Sequence, residues 1–470
     1  MQICMSPYYG KPDFSMLCEN GPARGALDLV SVADTLRNAF VYPPYSVFEN
    51  VRLVTFGFCP QHDMHTNPVF KFKFRDVRRT GPADQDQDWV GTYHRLLCEA
   101  VSRSCERMRA PWLLQSGGKD STTLAIALAD ARPDAGCVTY LGGREENEVD
   151  SARRVARELG LRHEVLVCSP GRAYDRYLEI VPRMPLLTAD FALLSYVDLA
   201  TEIAGHGGDG VIDGLGSDTY FGSPVSSRQR WLARLARQWK LPSRMAELPM
   251  VDRSFPLCFL LGTLQMSMIE RVFPGSRFTD AEVDALFGRP ISRVSRKRLG
   301  LFEDEIATAS SDWEWRAMSL SIAGSAGAFA KGLYTTIALS LEAAYPFCDR
   351  ALREWVHHEV PQSQKIDPVS GLGKVLVRKH IATRFGHLPY VMQKGSFRFD
   401  LCGLARERFD VVFDHAVRAR DVLPGAVDWL DRNRHRFGNK YHASKFYLLA
   451  IVLPWLVQHR AGEAPGEQAP

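Results

Sequence analysis

A short turn rich in glycine and hydroxyl groups is the segment of this sequence best suited to holding a phosphate. Residues 116–122, SGGKDST, lie between an apolar run at residues 111–115 and an apolar helical pattern. Adjacent glycines let backbone N–H groups approach an anion without a Cβ clash, and the following helix adds its positive dipole end. We therefore predict a phosphate-binding turn, to which the hydroxyls of Ser116, Ser121 and Thr122 add donors.

Two better-known phosphate motifs do not fit this turn. The Walker pattern requires Ser or Thr directly after Gly-Lys, whereas Asp120 follows Lys119 here. The dinucleotide pattern GxGxxG fails as well, because this turn contains no Gly-x-Gly. At the Gly-x-Gly that begins with Gly214, the third glycine of the pattern would fall on Thr219. The turn therefore belongs to neither of these nucleotide-binding classes.

A second acidic turn follows further along the chain. Residues 213–218, DGLGSD, come directly after a short apolar run at residues 210–212. Asp120 and Asp218 thus each stand just past a predicted strand, where an open parallel sheet binds its ligands. Carboxylate oxygens are hard ligands that suit Mg²⁺. We predict that these two aspartates share Mg²⁺ that bridges bound phosphates.

The elements that must position both turns alternate between helix and strand. Short apolar runs predict strands at residues 111–115, 138–141, 164–167 and 210–213. Helical patterns occupy residues 89–109, the stretch after residue 119, residues 145–159 and the stretch before residue 210. Such alternation predicts an α/β fold with a doubly wound parallel sheet that helices cover on both faces.

The regions that flank this core have different patterns. Residues 27–80 predict a short helix and then strands, and Phe70, Phe72 and Phe74 alternate with basic residues. After about residue 225 strand signals vanish and helical patterns continue to residue 459. We predict a small β-rich region, an α/β core, a helical half and a flexible tail: residues 1–87, 88–224, 225–460 and 461–470.

Composition excludes several classes of protein. The chain has 470 residues, of which 46% are hydrophobic and 24% charged, so disorder as its main state is excluded. No run approaches the length of a membrane span, and the first residues lack a secretion signal, which predicts a cytoplasmic protein. The 10 cysteines form no CxxC pair, and the net charge of only +4 argues against a nucleic-acid partner.

The two turns resemble motifs of a known group of enzymes. Residues 116–121 resemble the PP-loop of the ATP pyrophosphatase superfamily, whose members cleave ATP between the α and β phosphates. Residues 211–222 resemble the SGEGxDExFGG turn of asparagine synthetases and β-lactam synthetases. Further segments resemble that family in order: residues 42–51, 341–349, 374–378, 388–389 and 393–397. The resemblance covers about residues 27–400.

This resemblance implies a ligase that uses ATP and Mg²⁺ to form an acyl-adenylate and passes the acyl group to an amine or ammonia. By the same resemblance, Lys394 stabilises amide formation, Lys374 contacts pyrophosphate, and Glu342 takes the proton of the attacking amine. The nucleotide would be bound by residues of both turns and the strand before the first: Leu114, Ser116, Gly117, Gly118, Asp120, Ser121, Thr122, Asp213 and Gly214.

The chain departs from the family at two places. The family's glutaminase domain uses an N-terminal cysteine, whereas Gln2 follows Met1 here, so residues 1–87 are expected to be a remnant without glutaminase activity. Leu215 stands where asparagine synthetases have Glu and β-lactam synthetases have Tyr. Because leucine accepts no proton, three alternatives stay open: Glu342 acts alone, the substrate assists, or the acceptor binds differently.

The identity of the substrates also stays open. Thr219 and Ala344 replace charged residues of the family pattern, which argues against aspartate as the acid. Residues 226–240 form a basic amphipathic pattern that fits a leader peptide, a carrier protein, a partner subunit or simply a solvated face. A specialised metabolite, a modified peptide or an amidated glycan is the expected product. An inactive scaffold protein and a tRNA-modifying enzyme are the alternative functions.

Overall fold

The structure is a computed structural model, and it describes most of the chain. The described residues are 2–5, 25–55, 57–58, 70–74, 88–142, 146–222, 254–267, 269–272, 277–309, 312–390 and 399–460. The strands are β1 Gln2–Met5, β2 Val51–Val54, β3 Pro111–Leu114, β4 Gly136–Leu141, β5 Arg162–Val167, β6 Gly210–Ile212 and β7 Glu342–Ala344.

Helices occupy most of the remaining described chain. Those up to the second turn are α1 Leu29–Asn38, α2 Trp89–Ser104, α3 Lys119–Ala131, α4 Glu146–Glu158, α5 Pro170–Ile180, α6 Leu193–Gly205 and α7 Ser217–Tyr220. The later ones are α8 Phe255–Leu264, α9 Asp280–Phe287, α10 Ser292–Arg298, α11 Gly300–Ala307, α12 Asp312–Ala323, α13 Phe329–Ala338, α14 Arg350–His358, α15 Gln362–Lys365, α16 Val375–Phe385, α17 Leu401–Arg418, α18 Ala426–Asn433 and α19 Lys440–Arg460.

The centre of the fold is a parallel sheet of five strands in the order β5-β4-β3-β6-β7. Strand β3 pairs with β4 on one side and with β6 on the other. The strand order therefore reverses between β3 and β6, and the loops that leave their carboxyl ends diverge. Open α/β sheets bind ligands at such a switch point. Both turns that the sequence analysis singled out begin there.

The two faces of the sheet are covered by different helices. Side chains alternate along β3, so Trp112 and Leu114 face Tyr196 and neighbouring residues of α6. Leu113 faces the opposite way into the main core, where Leu124 of α3 lies. Strands that are buried on both faces favour a parallel sheet, and the sequence prediction of a doubly wound α/β core is confirmed.

The amino-terminal region packs onto the helical half through buried ion pairs. Arg298 of α10 lies 3.0 Å from the Asp34 carboxylate of α1, and Arg37 of α1 lies 2.7 Å from Glu270. The side chains of Asp34, Arg37 and Glu270 are almost completely buried. Burial raises the pKa of Asp34 to about 7, although Arg298 acts in the opposite direction. Helix α1 is therefore held by charge pairing as well as by apolar contacts.

Two details of the sequence prediction are corrected. Strand β7 lies within residues 225–460, where no strand was expected, and it completes the sheet beside β6. Residues 70–74 show the predicted alternation, since Phe72 and Phe74 are buried while Lys71 and Lys73 are exposed. These residues contain only an isolated bridge, from Phe72 to Phe58, and no strand. The predicted domain boundaries remain predictions.

Candidate active site

The first turn is shaped by two buried hydroxyl groups at the start of α3. The Ser121 hydroxyl accepts a hydrogen bond from the Ser116 N–H at 3.1 Å and donates to the Ser116 carbonyl at 2.7 Å. The Thr122 hydroxyl donates to the Gly118 carbonyl at 2.9 Å. In this structure both groups therefore bond to the backbone of the turn and fix its curvature. Their predicted contact with a phosphate stays a prediction.

Glycine is required at position 117 of the first turn for a steric reason. A Cβ on Gly117 would lie 2.7 Å from the Glu148 Cα and 2.8 Å from its carbonyl oxygen, so any side chain would collide with α4. Gly118 is the N-cap of α3 and supplies no side-chain hydrogen bond to the helix. Because the first N–H groups of a helix have no partners within it, those of α3 can bind an anion.

The second turn is fixed at both of its sides. The Asp213 N–H donates to the Ala344 carbonyl of β7 at 2.9 Å, and the Asp213 carboxylate accepts from the Leu215 N–H at 3.1 Å. Gly216 has a φ of +108°, which favours glycine, and a Cβ there would approach the Cys348 Sγ to 3.0 Å. Leu215 packs against the main apolar core, which accounts for an apolar residue at this position.

The two turns meet at one lysine. The Nζ of Lys374 lies 2.7 Å from the Asp120 Oδ1 and 2.7 Å from the Asp218 Oδ1. It also donates to the Ser217 hydroxyl at 2.8 Å. The Lys374 side chain is only 3% exposed, compared with 23% for Asp120 and 63% for Asp218. The Oδ1 atoms of Asp120 and Asp218 therefore cannot be further apart than twice the 2.7 Å that separates each of them from the Lys374 Nζ.

The charges at this point are mutually dependent. Burial alone would lower the pKa of Lys374, but the carboxylates of Asp120 and Asp218 raise it above its ordinary value. Lys119, the first residue of α3, has a lowered pKa because it is buried and because the Lys374 ammonium lies nearby. Lys374 consequently stays protonated, and the two carboxylates share its charge.

The backbone of Lys374 adopts an uncommon conformation. Its φ is +61°, in the left-handed region that costs a residue with a side chain about 1–2 kcal/mol. The residue before it, Gly373, forms a bridge with Ile366, and the Gly373 carbonyl accepts from Arg378 Nε at 3.0 Å. The residue after it begins α16, so the loop and the helix together aim the lysine between the aspartates.

Comparison with known proteins identifies a family. A family model described as asparagine synthase matches residues 92–394. This chain belongs to the asparagine synthase family. A search of curated proteins found no match to it. The family supports an ATP-dependent carbon–nitrogen ligase in general terms. Among the described residues, no helix combines the length and hydrophobicity needed to cross a bilayer.

The remaining residues implied by the asparagine synthase resemblance fall at different places. Leu114 ends β3 and is buried. Gly214 lies against the first turn, because a Cβ there would be 3.8 Å from the Asp120 Cβ. Glu342 is the first residue of β7 and is level with Gly210, so its backbone lies at the amino end of the strand. Lys394 and the basic segment at residues 226–240 lie outside the described residues.

One residue of the site was not singled out by the sequence analysis. Ser217 is 1% exposed, and its hydroxyl is the third partner of Lys374. Its position directly before Asp218, in a turn already singled out, is the only signal that could have indicated it. Its role is to hold the lysine at the side of Asp218.

A magnesium ion fits the donors of this asparagine synthase site only in part. Among the described residues, no three His, Cys, Asp or Glu side chains lie together as metal ligands. Asp120 and Asp218 already converge on one cationic group, and they offer hard oxygen ligands. Magnesium usually retains waters and binds one or two carboxylates together with substrate phosphates, which these two residues match.

Proposed function

We propose that this chain is an ATP- and Mg²⁺-dependent ligase that adenylates a carboxylate and transfers the acyl group to an amine or ammonia. The single observation that carries the proposal is the convergence of Asp120 and Asp218, from adjacent strand ends, on Lys374. Membership of the asparagine synthase family supports it. The product would be an amide in a specialised metabolite, a modified peptide or a glycan.

In the first step a substrate carboxylate oxygen attacks the α-phosphorus of ATP. The bond from that phosphorus to the α,β-bridging oxygen breaks, so pyrophosphate leaves and acyl-AMP forms. Negative charge grows on the bridging oxygen, and cations placed in advance lower the barrier. Asp120 and Asp218 would hold Mg²⁺, which supplies charge neutralisation on the phosphates. Lys374 and the amino end of α3 would bind the leaving pyrophosphate.

In the second step the amine nitrogen attacks the acyl carbon and AMP leaves. The amine must lose a proton, and Leu215 accepts none. The family resemblance would give this proton to Glu342 and the stabilisation of the transition state to Lys394. The Glu342 backbone lies at the amino end of β7, so its side chain would have to extend along the strand toward the turns at the carboxyl ends. The first turn holds the nucleotide through backbone N–H groups near Gly117 and Gly118, while Leu114, Asp213 and Gly214 would surround its adenosine.

The proposal is tested by the products that the protein makes from ATP. The full-length protein, Mg²⁺ and ATP are incubated with panels of carboxylic acids and amines, and nucleotides are separated by chromatography. AMP and pyrophosphate are expected in equal amounts, and D120N and D218N should each lower the rate at least a hundredfold. The matched control is D150N, since Asp150 is an exposed aspartate of α4 outside the site. Formation of ADP and phosphate would contradict the proposal.

A further inference from the structure

Lys374 occupies the position between the two aspartates where a cation is most stable. Its ammonium nitrogen is in direct contact with both carboxylates and is almost completely buried. A lysine whose only role was to bind a phosphate group of the substrate would be expected to extend into solvent. Instead its strained backbone and the Gly373–Ile366 bridge before it aim the side chain inward. The protein thus carries its own cation at this site.

We propose that Lys374 is an internal counter-ion that competes with divalent cations for Asp120 and Asp218, so that a divalent cation enters only together with a phosphate anion. This inference rests on the proposed function, because it assumes that the phosphates of ATP reach this site. It adds a specific property, namely that nucleotide and metal must bind as a pair.

The balance of charge supports this coupling. The Lys374 ammonium already neutralises part of the charge of the two carboxylates, since its Nζ lies 2.7 Å from an oxygen of each. A divalent ion added alone would have to displace this buried ammonium group from its partners. A polyphosphate reverses the balance. It offers Lys374 a new anionic partner and leaves the aspartates to the metal.

The test measures metal binding without any nucleotide. Mn²⁺, which prefers the same oxygen ligands as Mg²⁺, is titrated into the full-length protein, and free Mn²⁺ is counted by electron paramagnetic resonance. K374M replaces the ammonium by an uncharged group of similar length. We expect K374M to bind Mn²⁺ at least tenfold more tightly than the wild type, and K374M/D120N to lose that binding.

The control variant is K379M. Lys379 lies on α16, the helix that Lys374 precedes; it is exposed, and its Nζ donates to Gln364 rather than to the aspartates. It should leave Mn²⁺ binding at the level of the wild type. If wild type and K374M bind Mn²⁺ equally tightly, Lys374 does not compete with the metal and the inference is wrong.

A measurement on the wild type alone remains decisive if K374M fails to fold. Thermal unfolding is followed with Mg²⁺ alone, with inorganic pyrophosphate alone, and with both. We expect the joint shift in Tm to exceed the sum of the two separate shifts, and additive shifts would overturn the inference. Because this experiment involves no turnover, failure of the proposed reaction would leave its outcome unchanged, and the two proposals can be judged separately.

Discussion

The ammonium group of Lys374 lies 2.7 Å from the carboxylate of Asp120, although 254 residues separate the two in the chain. The contact exists because α16, which Lys374 precedes, packs against α3, which carries Asp120. His380 of α16 continues that interface, since its ring accepts or donates a hydrogen bond at 2.7 Å to Thr123 of α3. The site therefore depends on how the helical half docks on the sheet.

Replacing Gly117 should abolish nucleotide binding. In G117A the new methyl group would lie 2.7 Å from the Glu148 backbone, so either α4 or the turn must move. We expect a loss of stability of about 1–3 kcal/mol and no increase in Tm on adding ATP and Mg²⁺. G205A is the control, since a Cβ at Gly205 meets no atom within 4 Å. An ATP-dependent Tm shift in G117A equal to that of the wild type would contradict this account of the turn.

Gly332 of α13 provides the space for two tyrosines beside the second turn. A Cβ at Gly332 would overlap the Tyr345 hydroxyl and lie 3.0 Å from the Tyr196 hydroxyl. Burial raises the pKa of both hydroxyls, which lie close to each other. We expect G332A to lower the free energy of unfolding by about 1–3 kcal/mol.

Removing the overlapping hydroxyl should reverse much of that effect. The double variant G332A/Y345F is expected to be more stable than G332A in urea denaturation, because an aromatic ring without the hydroxyl leaves room for the methyl group. G300A serves as the control, since a Cβ there meets nothing within 4 Å. If Y345F did not restore stability to G332A, the lower free energy of unfolding of G332A would not be caused by overlap with the Tyr345 hydroxyl.

The stability of the protein should fall as the pH is lowered below about 6.5. Burial, with the nearby His94 and Arg384, lowers the pKa of His380 to about 3, and burial with Arg153 lowers that of His163 to about 4. Both rings are neutral in the folded state, while the unfolded chain takes up protons near pH 6.5. Their stabilising effect is thus complete above that pH. Below it the buried His380 costs about 1.4 kcal/mol of unfolding free energy per pH unit, and the half-buried His163 costs less because solvent screens its charge.

Urea denaturation between pH 8 and pH 5 measures this dependence. H163Q removes one of the two titrating groups, and the slope of its unfolding free energy below pH 6.5 should be smaller than that of the wild type. The Thr139 hydroxyl, 2.8 Å from the His163 ring, keeps an amide as a hydrogen-bond partner in this variant. An unchanged slope would show that His163 is not the neutral, half-buried group described here.

The ion pair between Arg298 and Asp34 should make a large contribution to stability. Asp34 is completely buried, so R298M leaves a carboxyl group that must take up a proton to remain inside. We expect a loss of about 3–5 kcal/mol that is greater at pH 8 than at pH 5, because the folded state then favours protonated Asp34. R350M, which breaks an exposed pair with Glu354, should leave the free energy of unfolding nearly unchanged. Equal effects of the two variants would contradict this prediction.

The sequence predicted most of the α/β core because its signals are local. Most strands from Pro111 to Ile212 are short apolar runs beside a helical period, and they appear close to where they were expected. Strand β5 contains the polar residues Arg162, His163 and Glu164, and β4 and β5 each begin two residues before the predicted start. Strand β7 was missed because Glu342, Ala343 and Ala344 carry no strand pattern of their own. Their pairing with β6 is decided by tertiary contact, and local propensity is a weak guide in such a case.

The proximity of the two aspartates could be predicted from the sequence, while their roles remain predictions. Asp120 and Asp218 could be identified because each follows a strand end, and the sheet order then brings them together. The position of Lys374 between them could not be predicted, since it depends on the left-handed backbone at that residue and on the docking of α16. The inward hydrogen bonds of Ser121 and Thr122 likewise depend on the curvature of the turn, which side-chain types alone do not determine.

The most direct test of the central claim follows an oxygen atom. The acid that supports turnover is prepared with ¹⁸O in its carboxyl group, and the products are analysed by mass spectrometry. If the carboxylate attacks the α-phosphorus, one labelled oxygen must appear in AMP while pyrophosphate stays unlabelled. Label in inorganic phosphate, formed together with ADP, would mean attack at the outer phosphorus and would contradict the account.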